Sequence, residues 1–262
     1  MSDFALDAAW LAALRGRADA PPVRPRVPLF WRGARFGSAE PGVMRALGLA
    51  ASLATETEVG WHIHGDDLST CLHSVAFAMR DAGVAHAWRD EQLPVTSESG
   101  DRLGTVERAV VRPLGIQTFA VHLAGLAPDG RHWVQQRSLT KANDPGLWDT
   151  LMGGMIPASD STEQALARET WEEAGLRMQQ LRGLGRGGGF LMRRPTDAGL
   201  GGYVVEHIEW YRCFVPSGVV PENRDGEVQQ FRLMTGEELG QRLQRDEFTL
   251  EAALVLVALE SA

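Results

Sequence analysis

Three glutamates, Glu169, Glu172 and Glu173, stand at i, i+3 and i+4 in the run Arg168-Glu-Thr-Trp-Glu-Glu-Ala-Gly-Leu176. At about 100° per residue they share one face of a helix. Like charges so placed oppose a bare helix by roughly a few tenths of a kcal/mol per pair. From Asp160 to Gly175 five acids meet a single base, Arg168, for a formal charge of −4. A cation is therefore expected on that face, and clustered hard oxygen ligands favour Mg²⁺ or Mn²⁺ over zinc or copper.

The flanking residues supply the helix that this chemistry needs. Ser161-Thr-Glu-Gln164 spells a capping box, and Gly175 is placed for the left-handed conformation that ends a helix. Leu166, Ala167, Thr170 and Ala174 fall on a second face that can pack on a core. Arg168 reaches Glu172 at i, i+4, so it can orient one carboxylate without cancelling the cluster.

Together with Gly154 ahead of it, this stretch resembles the Nudix box, G-x5-E-x7-R-E-U-x-E-E-x-G-U with U apolar. Gly154, Arg168, Glu169, Glu172, Glu173, Gly175 and Leu176 match at the right spacing. Asp160 stands where the family has its first Glu, and Thr170 where an apolar residue is usual. In the family that first Glu mostly braces the arginine, so the shorter acid bears on bracing geometry, with a backbone shift or a bridging water expected to restore the reach. The likeness extends to Arg137 through Asp149, to Ile116 through Leu123, to Glu107-Arg108-Ala109 and to Asp225 through Phe231. These are similar to the Nudix subfamily with an extra N-terminal domain, found fused to thiamine pyrophosphokinase in fungi and alone in plants and bacteria.

The resemblance implies an α/β fold, a Nudix α/β/α sandwich around a mixed sheet, preceded by a smaller α+β domain. It implies Mg²⁺- or Mn²⁺-dependent hydrolysis of a diphosphate bond, with Arg168, Glu169, Glu172 and Glu173 as the catalytic residues. Glu169, Glu172, Glu173 and a carbonyl of Gly153 or Gly154 are the expected metal ligands. Glu169 is the first choice to take the proton of the attacking water. Glu227, after a Pro-Glu-Asn-Arg-Asp-Gly loop, is the alternative base and a further candidate ligand, and Arg137 and Lys141 are candidates to hold phosphate. The small-molecule substrate is expected to be thiamine diphosphate or its oxidised analogues. A nucleoside-diphosphate-X or oxidised-nucleotide diphosphatase stays open, as does a ligand-binding module without turnover. Isopentenyl diphosphate isomerase shares the fold, but no cysteine stands near the motif in the setting it needs.

Composition narrows the classes. A chain of 262 residues has room for one large or two modest domains. Three segments are expected: an N-terminal helix and linker over 1–22, an α+β domain over 23–112, and the hydrolase domain over 113–262. A net charge of −8 argues against a nucleic-acid polymer as partner, because phosphate backbones are gripped by clustered Lys and Arg. The cysteines, Cys71 and Cys213, make no disulfide framework. Asp3 and Asp7 beside Phe4, Leu6, Trp10, Leu11 and Leu14 read as an amphipathic helix and not a signal peptide, no apolar run is long enough to cross a bilayer, and a cytoplasmic protein is expected.

Along the chain, Ala20–Pro28 reads as an extended lead-in and Leu29–Gly37 as a tight hairpin. A helix is expected over Thr70–Asp81, a turn-rich segment over Glu91–Gly104 and a second helix over Val106–Arg112. Strands are expected at Gln117–Leu126 and His132–Arg137, joined by a Pro-Asp-Gly turn, then at Gly189–Met192, Gly202–Phe214 and Val228–Leu233. Thr235–Glu238 spells a second capping box. Residues 29–104 carry no catalytic constellation and are expected to shape substrate choice or pairing into a homodimer. Gly183-x-Gly185-x-x-Gly188 reads as a flexible turn and not a dinucleotide site, since it precedes a strand. His62 and His64 read as structural, with no third ligand at metal spacing, and most of the tryptophans as core.

Overall fold

The structure is a computed structural model that describes residues 6–85, 87–196 and 202–261. Asp3 and Phe4 of the expected first helix lie outside these residues.

The N-terminal region forms a four-stranded sheet of β1 (Val27–Trp31), β2 (Ala34–Ala39), β3 (Ala54–Thr57) and β4 (Gly60–Ile63), in the order β2-β1-β4-β3. The β1–β2 hairpin turns at Arg32-Gly33, whose φ angles of 49° and 83° are both positive, as a two-residue turn between twisted strands requires. α2 (Pro41–Ala46) follows the hairpin, and α3 (Leu68–Asp81) is capped by Asp67, whose side chain accepts from the amide of Thr70. Leu72, Val75, Ala76 and Met79 of α3 are buried in a core shared with Leu29, Phe36 and Ile63.

Two sequence expectations fail in this region. Glu91–Gly104 is not simply a turn-rich loop: β5 (Gln92–Thr96) and β6 (Arg102–Glu107) pair as an antiparallel hairpin. The helix expected over Val106–Arg112 shrinks to a 3₁₀ turn at Arg108–Val110. Both differences have one cause. Leu93, Val95 and Val106 are buried in the α3 core, and that tertiary packing favours strand over the local polar signal.

The second half is built on a seven-stranded mixed sheet. β7 (Thr118–Leu126) lies at its centre, parallel to β12 (Tyr203–Phe214) and antiparallel to β8 (His132–Arg137) and β10 (Met152–Met155). β11 (Arg182–Pro195) flanks β12, while β9 (Trp148–Asp149) and β13 (Val228–Met234) pair with β8. One face is covered by α4 (Thr162–Ala174), whose Ala165, Leu166 and Ala174 pack with Val121, Leu123 and Cys213. The other is covered by α6 (Leu250–Glu260), whose Val255 packs with Ala120, Ala124, Ile208 and Trp210. Each fully buried Leu or Val contributes on the order of 2 kcal/mol. α5 (Gly236–Leu243) and α1 (Ala8–Ala18) complete that second layer: Leu14 and Trp10 pack with Leu239, Leu243 and Phe248, so the first helix of the chain rests against the last ones. The result is an α/β/α arrangement around a mixed sheet, with an α+β region ahead of it.

The expected turn at Gly183–Gly188 is instead part of β11, a strand with register shifts between Arg182 and Gly185 and between Arg186 and Gly188. A Cβ on Gly187 would collide with the ring of Trp210. The glycines let the strand pass flat under an aromatic ring, a use that the motif spelling conceals. His62 stacks on Phe30 and His64 Nε2 lies 2.7 Å from Thr55 Oγ1, so both are structural.

Candidate active site

α4 forms as its sequence dictates. Ser161 accepts from the amide of Gln164 while the Gln164 side chain accepts from the amide of Ser161, and Gly175 ends the helix at φ 62°. Thr170 is fully buried and turns its hydroxyl back to Leu166 O at 2.6 Å, so the polar substitution costs the core no unsatisfied group. The carboxylates divide by depth. Glu172 is the most exposed, Glu169 is largely covered, and Glu173 is 3% exposed.

Glu173 Oε2 accepts from Gln135 Nε2 at 2.8 Å and from the amide of Gly153 at 3.1 Å. Burial pushes its pKa up to about 8, and the charges of Glu169 and Asp149 push the same way against those two hydrogen bonds. Glu169 is also raised, by burial first, against the pull of Arg168. The double glycine of β10 makes this fit: Gly153 pairs with His122 and Gly154 with Val121 of β7. A Cβ on Gly154 would overlap the Glu169 carboxyl, and one on Gly153 would stand 2.6 Å from the His122 ring.

Arg168 reaches all three acids around it. Its Nε donates to Asp160 Oδ2 at 2.9 Å, and its Nη1 lies 2.9 Å from both Glu169 Oε1 and Glu172 Oε2. The shorter Asp160 therefore touches the arginine directly, so of the two expected compensations, a backbone shift or a bridging water, the water is not needed. Arg168 holds the Asp160 carboxyl below the usual range.

The chain after β12 is fastened over the end of α4. Glu222 N donates to Ala174 O at 2.8 Å, and the guanidiniums of Arg177 and Arg224 lie 4.4 and 4.3 Å from the Trp171 ring. This brings Asp225 and Glu227 to the same cleft. There Glu227 is ion-paired with Lys141, which outweighs burial and holds its pKa below the ordinary value. Arg137 lies 3.4 Å from Asp149 and donates to Asn143 O at 3.1 Å, while its Nε is buried without a partner.

All nine residues singled out in the sequence, Gly153, Gly154, Arg168, Glu169, Glu172, Glu173, Glu227, Arg137 and Lys141, line one cleft of about 740 Å³. That volume suits a small organic ligand. Other lining residues escaped the sequence reading. Arg89, Glu91 and Arg108 come from the N-terminal region, with Arg108 ion-paired to Glu91 at 2.6 Å. His122, Asp149, Glu206 and Glu251 form the sheet side. Burial pushes Glu251 up to about 7, with Glu206 adding to it, and pushes His122 down. A signal for three of these does exist in the sequence. Glu206 interrupts the buried face Val204-x-Glu-x-Ile-x-Trp210, His122 sits between Ala120 and Ala124, and Glu251 precedes a helical run that is apolar from Ala252 to Leu259. A charged or polar residue at an inward strand or helix position marks a site as well as any motif.

The donor set on α4 is all oxygen and suits a hard divalent cation. Among the described residues no three His, Cys, Asp or Glu side chains converge into a closed cage. Mg²⁺ takes one or two carboxylates and completes its shell with water and substrate oxygens. Neither cysteine lines the cleft, and both are free and buried.

Known proteins carry the same features. The NUDIX domain family matches residues 118–254, more than half of the chain. Nudix hydrolase 20, chloroplastic, of Arabidopsis thaliana is 29% identical over 184 residues, which are 64% of this chain and 46% of that protein. An isopentenyl-diphosphate Delta-isomerase of Streptomyces avermitilis is 30% identical over 173 residues, 65% of this chain and 84% of that protein. The chain spans about half the length of the plant relatives. In fold it is similar to DR0079 from Deinococcus radiodurans, with a TM-score of 0.50 and 20% identity over 64% of this chain and 97% of that one. No helix among the described residues is long and apolar enough to cross a membrane. With the arginine and the three glutamates of the box on α4 and the family match running across the whole mixed sheet, the chain belongs to the Nudix family.

Proposed function

We propose that the protein hydrolyses a diphosphate bond in a small organic diphosphate, with Mg²⁺ or Mn²⁺ bound at the α4 carboxylates. The observation that carries this reading is the convergence of Glu169, Glu172 and Glu173 with Gly153, Gly154, Arg137 and Lys141 on one cleft. When bound, the cation neutralises phosphate oxygens and polarises the phosphoryl group for attack. Glu172 and Glu173 hold it, with a carbonyl of the glycine pair, and Arg168 keeps Glu172 in place. Glu169, made more basic by burial, accepts the proton of the attacking water as the water oxygen bonds to phosphorus and the bridging P–O bond breaks. Arg137 and Lys141 steady the phosphates, and Glu227 holds Lys141 in position or takes the proton in place of Glu169.

For the substrate we propose thiamine diphosphate or its oxidised analogues, cleaved to the monophosphate and inorganic phosphate. The support is the likeness of residues outside the box to the subfamily with an extra N-terminal domain, together with the entry of Arg89, Glu91 and Arg108 into the cleft. Isomerisation of an isopentenyl diphosphate is the weaker reading, because no cysteine reaches the cleft. Initial rates of phosphate release with Mg²⁺, compared across thiamine diphosphate, its oxo- and oxy- analogues, ADP-ribose and 8-oxo-dGTP, test the assignment. The thiamine compounds are expected to be cleaved with the highest kcat/KM. A higher value for ADP-ribose or the oxidised nucleotide replaces that substrate while leaving the chemistry in place.

A further inference from the structure

The proposed hydrolysis uses none of the groups at the buried, sheet-side end of the cleft. β12 turns Glu206 inward beside Val204, Ile208 and Trp210, and leaves it 4% exposed. Both of its protein hydrogen bonds fall on Oε1, from Thr118 Oγ1 at 2.7 Å and Arg112 Nη2 at 2.9 Å. Oε2 has no partner among the described residues. Glu251, in the first turn of α6, lines the same cleft, and its carboxyl has only its own backbone amide for a hydrogen bond and no ion pair among the described residues. His122 is 5% exposed. The Thr150 hydroxyl donates its one proton to Met152 O at 2.7 Å, so the contact of 3.0 Å between Thr150 Oγ1 and His122 Nδ1 is donated by the ring. His122 Nε2 is then a bare acceptor.

Three acceptors thus line one end of the cleft, and Glu206 Oε2 and His122 Nε2 have no donor among the described residues. Two carboxylates sharing a low-dielectric cavity repel one another. Arg112 answers one oxygen of Glu206 at 2.9 Å, which leaves Glu206 Oε2, Glu251 and His122 Nε2 able to take a further positive charge or N–H donors. An isoprenoid tail is the wrong occupant, since it would seal Glu206 and Glu251 against hydrocarbon.

We propose that Glu206, Glu251 and His122 form the subsite for the organic head of the diphosphate, and that this head carries a positive charge or paired N–H donors, as an ammonium group or an aminoheterocycle does. The proposal rests on the hydrolase reading for the placement of the diphosphate at α4. The cleft then sorts its substrate by charge along its length, with phosphate toward Arg137 and Lys141 and a nitrogenous head toward Glu206 and Glu251.

The test compares thiamine diphosphate with isopentenyl diphosphate in the wild type, Glu206→Gln and Glu251→Gln, and adds calorimetric binding of thiamine, which carries no phosphate. The wild type should show a KM for thiamine diphosphate at least tenfold below that for isopentenyl diphosphate. Each variant should narrow that gap about tenfold and weaken thiamine binding in parallel. If Glu206→Gln fails to fold because Arg112 loses its partner, Glu251→Gln decides, since its carboxyl holds nothing in place. A wild type without the gap, or variants that bind thiamine as tightly as the wild type, would overturn the proposal. If no diphosphate is cleaved yet thiamine binding depends on Glu206 and Glu251, the hydrolase reading falls and the head subsite stands.

Discussion

The acidic-helix end of the cleft takes Glu169, Glu172 and Glu173 from one short stretch of α4, whereas the sheet end takes His122, Glu206 and Glu251 from β7, β12 and α6. At the first end helical periodicity alone brings the carboxylates together, and the same stretch carries its own caps and its own arginine. At the second, the groups meet only because β12 lies parallel to β7 and α6 packs across both. On the proposed reading, the reaction is encoded locally and the recognition of the substrate over long range. Substitutions at the two ends should separate accordingly, with kcat falling at α4 and KM rising at the sheet.

The largest effect that would sharpen this contrast is expected from Glu172→Gln and Glu173→Gln. Each should lower kcat for phosphate release by about two to four orders of magnitude, roughly 3–5 kcal/mol of barrier. Circular dichroism should show the fold intact in both. For Glu173 the reason is specific: with its pKa near 8 the metal-free protein already carries it protonated at neutral pH, and Gln has the shape of that neutral form. A loss confined to KM would break the division between the two ends.

Next in size is Gly154→Ala. The added Cβ overlaps the Glu169 carboxyl and must displace it. A misplacement of about 1 Å costs on the order of a hundredfold in rate, so kcat should fall by about that factor while thiamine binding at the sheet end is retained. Measured binding that falls together with kcat would show that the two ends are not independent.

This contrast also decides what could be read without coordinates. The helix over 162–174, its capping box, the Arg168 pairing and the β7–β8 hairpin follow from local periodicity, capping and turn residues, and the structure has them. The strands at 92–96 and 102–107 do not, because Leu93, Val95 and Val106 become strand residues only against α3. Gly187 is intelligible only once Trp210 lies over it. Glu206 was visible as a lone acid on a buried strand face, but its Arg112 and Thr118 partners come from elsewhere in the fold.

A smaller effect is expected from pH. Glu173 is raised from an ordinary value of 4.5 to about 8 in the metal-free protein. The folded state therefore keeps a proton that the unfolded chain has lost, so the stabilisation is full below about pH 4.5 and declines as pH rises through about 8. Glu251, raised to about 7, acts in the same direction. Metal binding needs the carboxylate ionised, so Mn²⁺ affinity should rise by up to about tenfold per pH unit below pH 8 and then level off. Calorimetry at pH 6, 7 and 8.5 reads this, and Glu173→Gln should flatten the rise. An affinity independent of pH would remove Glu173 from the ligand set.

The smallest effect concerns the brace. Arg168 and Asp160 are joined at 2.9 Å but partly open to solvent, so a double-mutant cycle of Asp160→Ala and Arg168→Ala should give a coupling of about 1 kcal/mol in thermal or urea unfolding. Asp160→Glu should be tolerated. A coupling near zero would make Asp160 an independent surface acid.

The most direct measurement is the rate of phosphate release from thiamine diphosphate with Mg²⁺, repeated after excess EDTA and again after restoring Mg²⁺, Mn²⁺ or Zn²⁺. If the α4 carboxylates act through a hard divalent cation, chelation abolishes release and Mg²⁺ or Mn²⁺ restores it. A rate unchanged by EDTA, or restored by Zn²⁺ alone, would contradict that.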